Sequence, residues 1–368
     1  MKSLASILVL LLGLSTLLAG ETRVEPWGET PEGETILLYH LRNANGLEAR
    51  VMTYGATLVG LDAPDRNGKF ANLTLHLDSA ADYVAGHPLL GSVVGRYANR
   101  IDKGGFSING ERFDLETVNA KTGVHIHGGK TGFQWQNWTP SEVGGQDYQG
   151  VKLELVSPDG HEGFPGEVRV SVTYTLNDDD ELQMHYEATT TKPTHINLTN
   201  HAYWNLAGAG SGTVLNQKLQ INAARYLEVD ERKIPTGRMI PVMHSVMDFT
   251  LPRRLGPCLD EVEGGYDHCY AINHLKPGDL SLAAKLIDRR SGREMEVWTT
   301  APGVQVYTAN GLKDKFGAGG KSYGPRHGIC LETQHFPDSP NKLTFPSTLL
   351  LPGKTYEQIT VHKFCVKD

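Results

Sequence analysis

A chain of 368 residues with 39% apolar and 21% charged side chains and a formal net charge of −7 has the balance of an ordinary soluble globular protein. Its acidic balance and the lack of a Lys/Arg stripe argue against nucleic acid as a partner. Four cysteines, Cys258, Cys269, Cys330 and Cys365, are too few to staple a chain of this length, although an oxidising compartment would permit a bridge such as Cys258 to Cys269.

Residues 1–20 place Lys2 ahead of an apolar run, Leu4–Leu14, that ends in Ala19-Gly20, the pattern of a secretory signal. The run is short for a membrane span, and polar Glu21-Thr22-Arg23 follows it. Export to the periplasm or the medium is therefore expected, with no stable membrane association after cleavage. Glu21 stands where a lipoprotein would need its cysteine. Loss of residues 1–20 removes one cation, Lys2, and takes the formal charge from −7 to −8. Residues 21–34, rich in Glu, Gly and Pro, are expected to be a loose N-terminal segment, and residues 35–368 a single domain.

Period-two alternation dominates the rest. Strands are expected at Leu47–Val51, Phe106–Phe113 as a hairpin about Asn109-Gly110, Val151–Val156, Leu215–Ile221, Met295–Thr299, Gly303–Thr308 and Ile329–Gln334. The clearest hairpin runs through Val168, Val170, Val172, Tyr174 and Leu176, turns at Asn177-Asp178-Asp179-Asp180, and returns through Leu182, Met184, Tyr186 and Ala188. The best helical candidate, Asp78–Val84, is only a couple of turns long. The fold class is all-β, a large antiparallel β-sandwich with few short helices.

One stretch carries chemistry: Thr194-His195-Ile196-Asn197-Leu198-Thr199-Asn200-His201-Ala202-Tyr203-Trp204-Asn205-Leu206. Amides hold hydroxyls, aromatic faces cover C–H surface, and imidazole moves protons near neutral pH. That combination suits a sugar. Together with Gly95-Arg96-Tyr97-Ala98-Asn99-Arg100-Ile101, His127-Gly128-Gly129, Ser157-Pro158-Asp159-Gly160 with Gly166-Glu167, Tyr266-Asp267-His268 and Cys330-Leu331-Glu332-Thr333-Gln334, it resembles the aldose 1-epimerase (galactose mutarotase) family, in order from about Leu37 to the C-terminus. The resemblance implies a galactose mutarotase-like supersandwich, no cofactor or metal, a free monosaccharide as substrate, and interconversion of its α and β anomers. A monomer or weak dimer is expected.

Opening an aldopyranose needs a base for the C1 hydroxyl and an acid for the ring oxygen. Alternation sends Ile329 and Leu331 to one side and Cys330, Glu332 and Gln334 to the other, which offers Glu332 to a pocket; Cys330 itself reads as a buried apolar cysteine. By resemblance Glu332 is the base, His201 the acid and His127 a second histidine at the ring oxygen, with Asn99, Arg100, Asp267 and Gln305 as sugar contacts. Three departures stand out: Trp204 where Phe is usual, Ala309 where Gly is usual, and Val124-His125-Ile126 ahead of His127. The larger aromatic and the extra methyl are expected to narrow the pocket. The competing readings are a secreted sugar-binding protein without turnover, a relative acting on phosphorylated hexoses, disfavoured by export, and a metal enzyme in which His125 and His127 project from one strand face towards Glu332 and His201.

Overall fold

The computed structural model describes residues 20–116, 119, 121–314 and 316–367. The expected signal segment, save for Gly20, lies outside them. Among the described residues the chain is built almost wholly from antiparallel strands, with two short α-helices, Ala80–Val84 and Leu255–Leu259.

Residues 21–72 form a five-stranded meander of Glu21–Glu29, Thr35–Arg42, Glu48–Met52, Thr57–Pro64 and Phe70–Asn72. The loose segment expected at residues 21–34 is corrected here: Glu21–Glu29 is an edge strand in register with Thr35–Arg42. Its Pro26 is tolerated because the pairing slips between Pro26 and Gly28, and an edge strand has no neighbour on its other side.

A nine-stranded sheet runs in the order Thr139–Gly144, Tyr148–Ser157, Val168–Asn177, Glu181–Thr190, Tyr356–Val366, Arg293–Thr299, Ser281–Ile287, Lys218–Ile221 and Arg253–Arg254. The hairpin read from alternation is present, with Val168 opposite Thr190 and Leu176 opposite Leu182. The Asn109-Gly110 turn also forms, both residues at positive φ (52° and 85°), as a type I′ turn requires.

Facing the large sheet is a six-stranded one, ordered Tyr203–Trp204, Ile329–Gln334, Gly303–Tyr307, Asp267–Ala271, Arg225–Val229 and Pro235–Pro241. Val304, Val306, Ile329 and Leu331 on its inner face share one buried apolar cluster with Val170, Val172, Met295 and Val297 of the large sheet and Val51, Leu58 and Leu61 of the meander. The opposite face of the six-stranded sheet is left for polar residues.

Trp204 belongs to the inner side. Its ring, 1% exposed, lies 4.9 Å from the His362 ring and 5.7 Å from that of Phe364, so it fills the space between sheets and does not narrow a pocket as expected. Tyr203, one residue earlier, points the other way. Trp204→Phe is expected to lower stability by about 1–3 kcal/mol in denaturant titration, through the void it leaves; lost turnover at unchanged stability would put the indole in the site instead.

Candidate active site

Strand register lays out the polar face as a grid. Cys330 is opposite Tyr203 on one side and Tyr307 on the other, and Tyr307 is opposite Asp267; two residues along the strands, Glu332 is opposite Gln305 and Gln305 opposite Cys269. Residues directly opposite one another share a face and lie about 5 Å apart, so these side chains crowd one patch. The Ile329–Gln334 strand is buried along its whole length, and Glu332 is only 2% exposed.

Loops bring the remaining groups over the grid. Arg100–Ile101 pairs with His125–Ile126, and the His127 backbone N–H donates to the Asn99 carbonyl (2.9 Å). Asn99 and His127 both take left-handed φ, 64° and 52°, a strain of about 1–2 kcal/mol each that turns their side chains out of the ladder. Gly128 follows because a Cβ there would lie 1.7 Å from the Gly95 carbonyl oxygen. Arg96, 2% exposed, ties this loop to the Ser157–Glu167 block: its guanidinium donates to the carbonyls of Ser157, Pro158, Pro165 and Gly166 and to Ser157 Oγ. His201 is held between Ser92 and Gly91, its N–H donating to Ser92 (2.9 Å) and its carbonyl accepting from Gly91 (3.1 Å).

The structure gathers all seven residues singled out by sequence. Arg100 bridges two of them, Nη1 donating to Asn99 Oδ1 (3.2 Å) and Nη2 to Asp267 Oδ2 (3.1 Å). Gln305 Nε2 donates to the other Asp267 oxygen (2.6 Å), while Gln305 Oε1 is buried without a partner. The His201 ring stacks on Tyr203 (centroids 5.1 Å, 24°) and meets His127 edge-on at 5.4 Å. His201 Nε2 stands 3.8 Å from Glu332 Oε2, a buried oxygen with no hydrogen-bond partner.

Burial, reinforced by the Asp267 charge and opposed by Arg100, pushes the Glu332 carboxyl up to about 8. Burial likewise brings His201 down to about 4, against a smaller upward pull from its own backbone and Asp267. It holds His127 well below the usual histidine range, helped by the neighbouring His201 and Arg100. Near neutral pH the unliganded site thus favours a protonated carboxyl and neutral imidazoles. The two histidines differ in their fixed edges: His127 Nδ1 accepts the Asn99 N–H (3.2 Å), so its proton is on Nε2.

Several expectations change. Asn197, Asn200 and Asn205 do not hold ligand hydroxyls: Asn197 bonds to Ala98 and His335, Asn200 to Gly91 and Tyr174, and Asn205 to Gly212 and His327, all inside the fold. The His125/His127 metal set is not assembled. His125 donates from Nδ1 to the Glu116 carbonyl and stands edge-on to Phe164 (5.5 Å), and the His127 Nδ1 is already occupied. Among the described residues the donors that do cluster are His201, Cys330 and Glu332, one ligand atom from each lying within 4.8 Å of the others, with the thiol 3.6 Å from Nδ1 and the carboxyl 3.8 Å from Nε2. All four cysteines are free thiols. Ala309 takes a left-handed φ of 52° and is buried in the same apolar cluster as Tyr203 and Cys330. Sequence reasoning missed Tyr203 and Cys330 as neighbours of His201; the two-residue spacing of Cys330 from Glu332 was the available signal.

The aldose 1-epimerase family model matches residues 37–363. The galactose mutarotase of Mus musculus is 41% identical over 343 residues, covering 92% of this chain and 97% of that protein, and the aldose 1-epimerase of Escherichia coli is 34% identical over 342 residues, covering 91% and 96%. Among solved structures, the galactose 1-epimerase of Lactobacillus acidophilus superposes with a TM-score of 0.83 at 28% identity over 95% of this chain and all of that one. An aldose epimerase homologue from C. elegans superposes with a TM-score of 0.82 at 30% identity over 90% and 99%. With a buried carboxyl, two imidazoles and an amide–guanidinium–carboxylate chain set on this supersandwich, the chain belongs to the aldose 1-epimerase family.

Proposed function

We propose that the protein interconverts the α and β anomers of free aldohexoses such as glucose and galactose, with Glu332 as base and His201 as acid. The observation that carries this reading is the unpartnered Glu332 Oε2 facing His201 Nε2 at 3.8 Å. The C1 hydroxyl and the ring oxygen both sit on C1, so a base and an acid at that separation can reach one each.

The reaction needs the pair to carry one proton. With closed sugar bound, Glu332 is ionised and His201 is an imidazolium. The C1 hydroxyl gives its proton to Glu332, C1=O forms as the bond from C1 to the ring oxygen breaks, and the ring oxygen takes the proton from His201 Nε2. Open aldehyde, neutral imidazole and protonated carboxyl result. Rotation about C1–C2 presents the other carbonyl face, and the same steps in reverse close the ring. The neutral pair that burial favours in the free site is the one that accompanies the aldehyde. His127, whose proton is on Nε2, donates to the ring oxygen, and Asn99, Arg100, Asp267 and Gln305 hold the hydroxyls. No step calls on a cofactor. Export remains part of this proposal, resting on the apolar run after Lys2; the exported protein is expected to begin near Glu21, as N-terminal sequencing would read.

The test is the relaxation of freshly dissolved α-D-glucose and α-D-galactose, followed by polarimetry. The protein is expected to accelerate it with or without EDTA, and Glu332→Gln to lose about 10²–10⁴-fold in kcat while still binding sugar. Sugar binding without acceleration by the wild-type protein would favour the non-catalytic reading, and loss of activity in EDTA the metal one.

Two pH effects follow from the shifts. The pair holds one proton between its two titrations, so kcat/KM is expected to be flat between about 4 and about 8 and to fall on either side, as the base is lost in acid and the acid in alkali. For stability, a carboxyl raised from 4.5 to about 8 on folding favours the folded state fully below 4.5 and loses that contribution as pH rises towards 8. Glu332→Gln is therefore expected to melt higher than the wild type at pH 8.5, the gap closing towards pH 4.5; a gap that widens in acid would contradict the shift.

A further inference from the structure

Cys330 belongs to the patch but has no part in the scheme above. Cys330 is fully buried, and its Sγ lies 3.6 Å from His201 Nδ1. Two positions along the same strand, Glu332 reaches the other ring nitrogen. A strand places residues i and i+2 on one face, so this single strand brackets the imidazole at both edges.

Apart from a hydrogen bond with its own backbone, the ring is held by packing that is indifferent to its protons. Tyr203 stacks on it, and His127 and Tyr307 meet it edge-on at 5.4 and 6.5 Å. Gly91 N–H already donates to the His201 carbonyl. The only side chain bonded to Nδ1 among the described residues is the Cys330 thiol. Burial holds that thiol well above its ordinary range, so it keeps its proton, and the sulfur is a neutral, weak acceptor.

We propose that Cys330 is a positioning residue for the reaction, its sulfur accepting the His201 Nδ1–H and so reserving Nε2 as the nitrogen that gives and takes the proton. This rests on the reading of His201 as the acid. The proton count requires the Nδ1–H form: when His201 has given its Nε2 proton to the ring oxygen, the remaining proton is on Nδ1, and that tautomer must be held for reclosure. A carboxylate at Nδ1 would hold the same tautomer but would also stabilise the imidazolium and weaken the acid. A thiol orients the ring in both protonation states and leaves the acid strong. His127 is the converse case, with Nδ1 committed as an acceptor and Nε2–H as a fixed donor.

The test reads the tautomer in the free protein by ¹⁵N NMR of labelled histidine at pH 7.5, together with kcat and KM for galactose, in the wild type, Cys330→Ala and Cys330→Ser. The expected wild-type form is Nδ1–H, the opposite of the tautomer favoured by free histidine in water. Cys330→Ala is expected to admit the Nε2–H form and to lose about three- to tenfold in kcat with KM unchanged, as befits one modest hydrogen bond. Cys330→Ser, whose hydroxyl oxygen also accepts, is expected to restore both. Nε2–H in the wild type, or Cys330→Ala with the wild-type tautomer and kcat, would overturn the assignment. Because the tautomer is read without sugar, the result stands whether or not the protein turns sugars over.

Discussion

Burial of the Glu332 carboxyl among neutral and aromatic side chains sets the terms for everything around it. An ionised carboxylate there would lack the solvation of water, and one of its oxygens has no partner at all. Arg100, the cation that acts on it, is already engaged with Asn99 and Asp267. The free site therefore holds its proton on the carboxyl, and only a ligand that brings a hydroxyl to Oε2 and an acceptor to His201 offers the charged pair a better home. Catalysis and substrate recognition thus draw on the same unsatisfied atoms, and Gln305 Oε1, also buried and unpartnered, belongs to that set.

Holding such a site open requires rigid surroundings. The six-stranded sheet supplies them by pinning its inner face against the nine-stranded sheet with Val304, Val306, Ile329 and Leu331, so that the outer face cannot rotate its side chains inward. The loops are fixed by backbone contacts as much as by side chains. Arg96 spends its guanidinium on carbonyls of the Ser157–Glu167 block, and Gly128 lets the His127 turn press against Gly95. The short sequence blocks that looked independent are one cradle in space.

Much of this was legible because period-two patterns encode faces. Val168 to Ala188 gave a hairpin with one buried side, Asn109-Gly110 gave a turn, and parity within Ile329–Gln334 separated Glu332 from the core. The same parity was overlooked at Tyr203–Trp204, where the aromatic that faces His201 is Tyr203 and the indole is core. Glu21–Glu29 was hidden by its polar composition, which an edge strand with a bulge at Pro26 accommodates. Tyr356–Val366 was hidden because Thr360, Val361 and His362 are consecutively buried in the middle of the sheet, which breaks alternation. The asparagines of the Asn197–Asn205 segment misled for another reason: composition cannot say whether an amide bonds to a ligand or to the backbone beside it.

The most direct test of the central claim is a crystal structure of Glu332→Gln with galactose bound. The sugar is expected on the outer face of the six-stranded sheet, its C1 hydroxyl at the residue 332 amide, its ring oxygen within hydrogen-bond reach of His201 Nε2 and His127 Nε2, and its other hydroxyls on Arg100, Asp267 and Gln305. A sugar held there with C1 turned away from residue 332 and His201, or held elsewhere on the molecule, would contradict it.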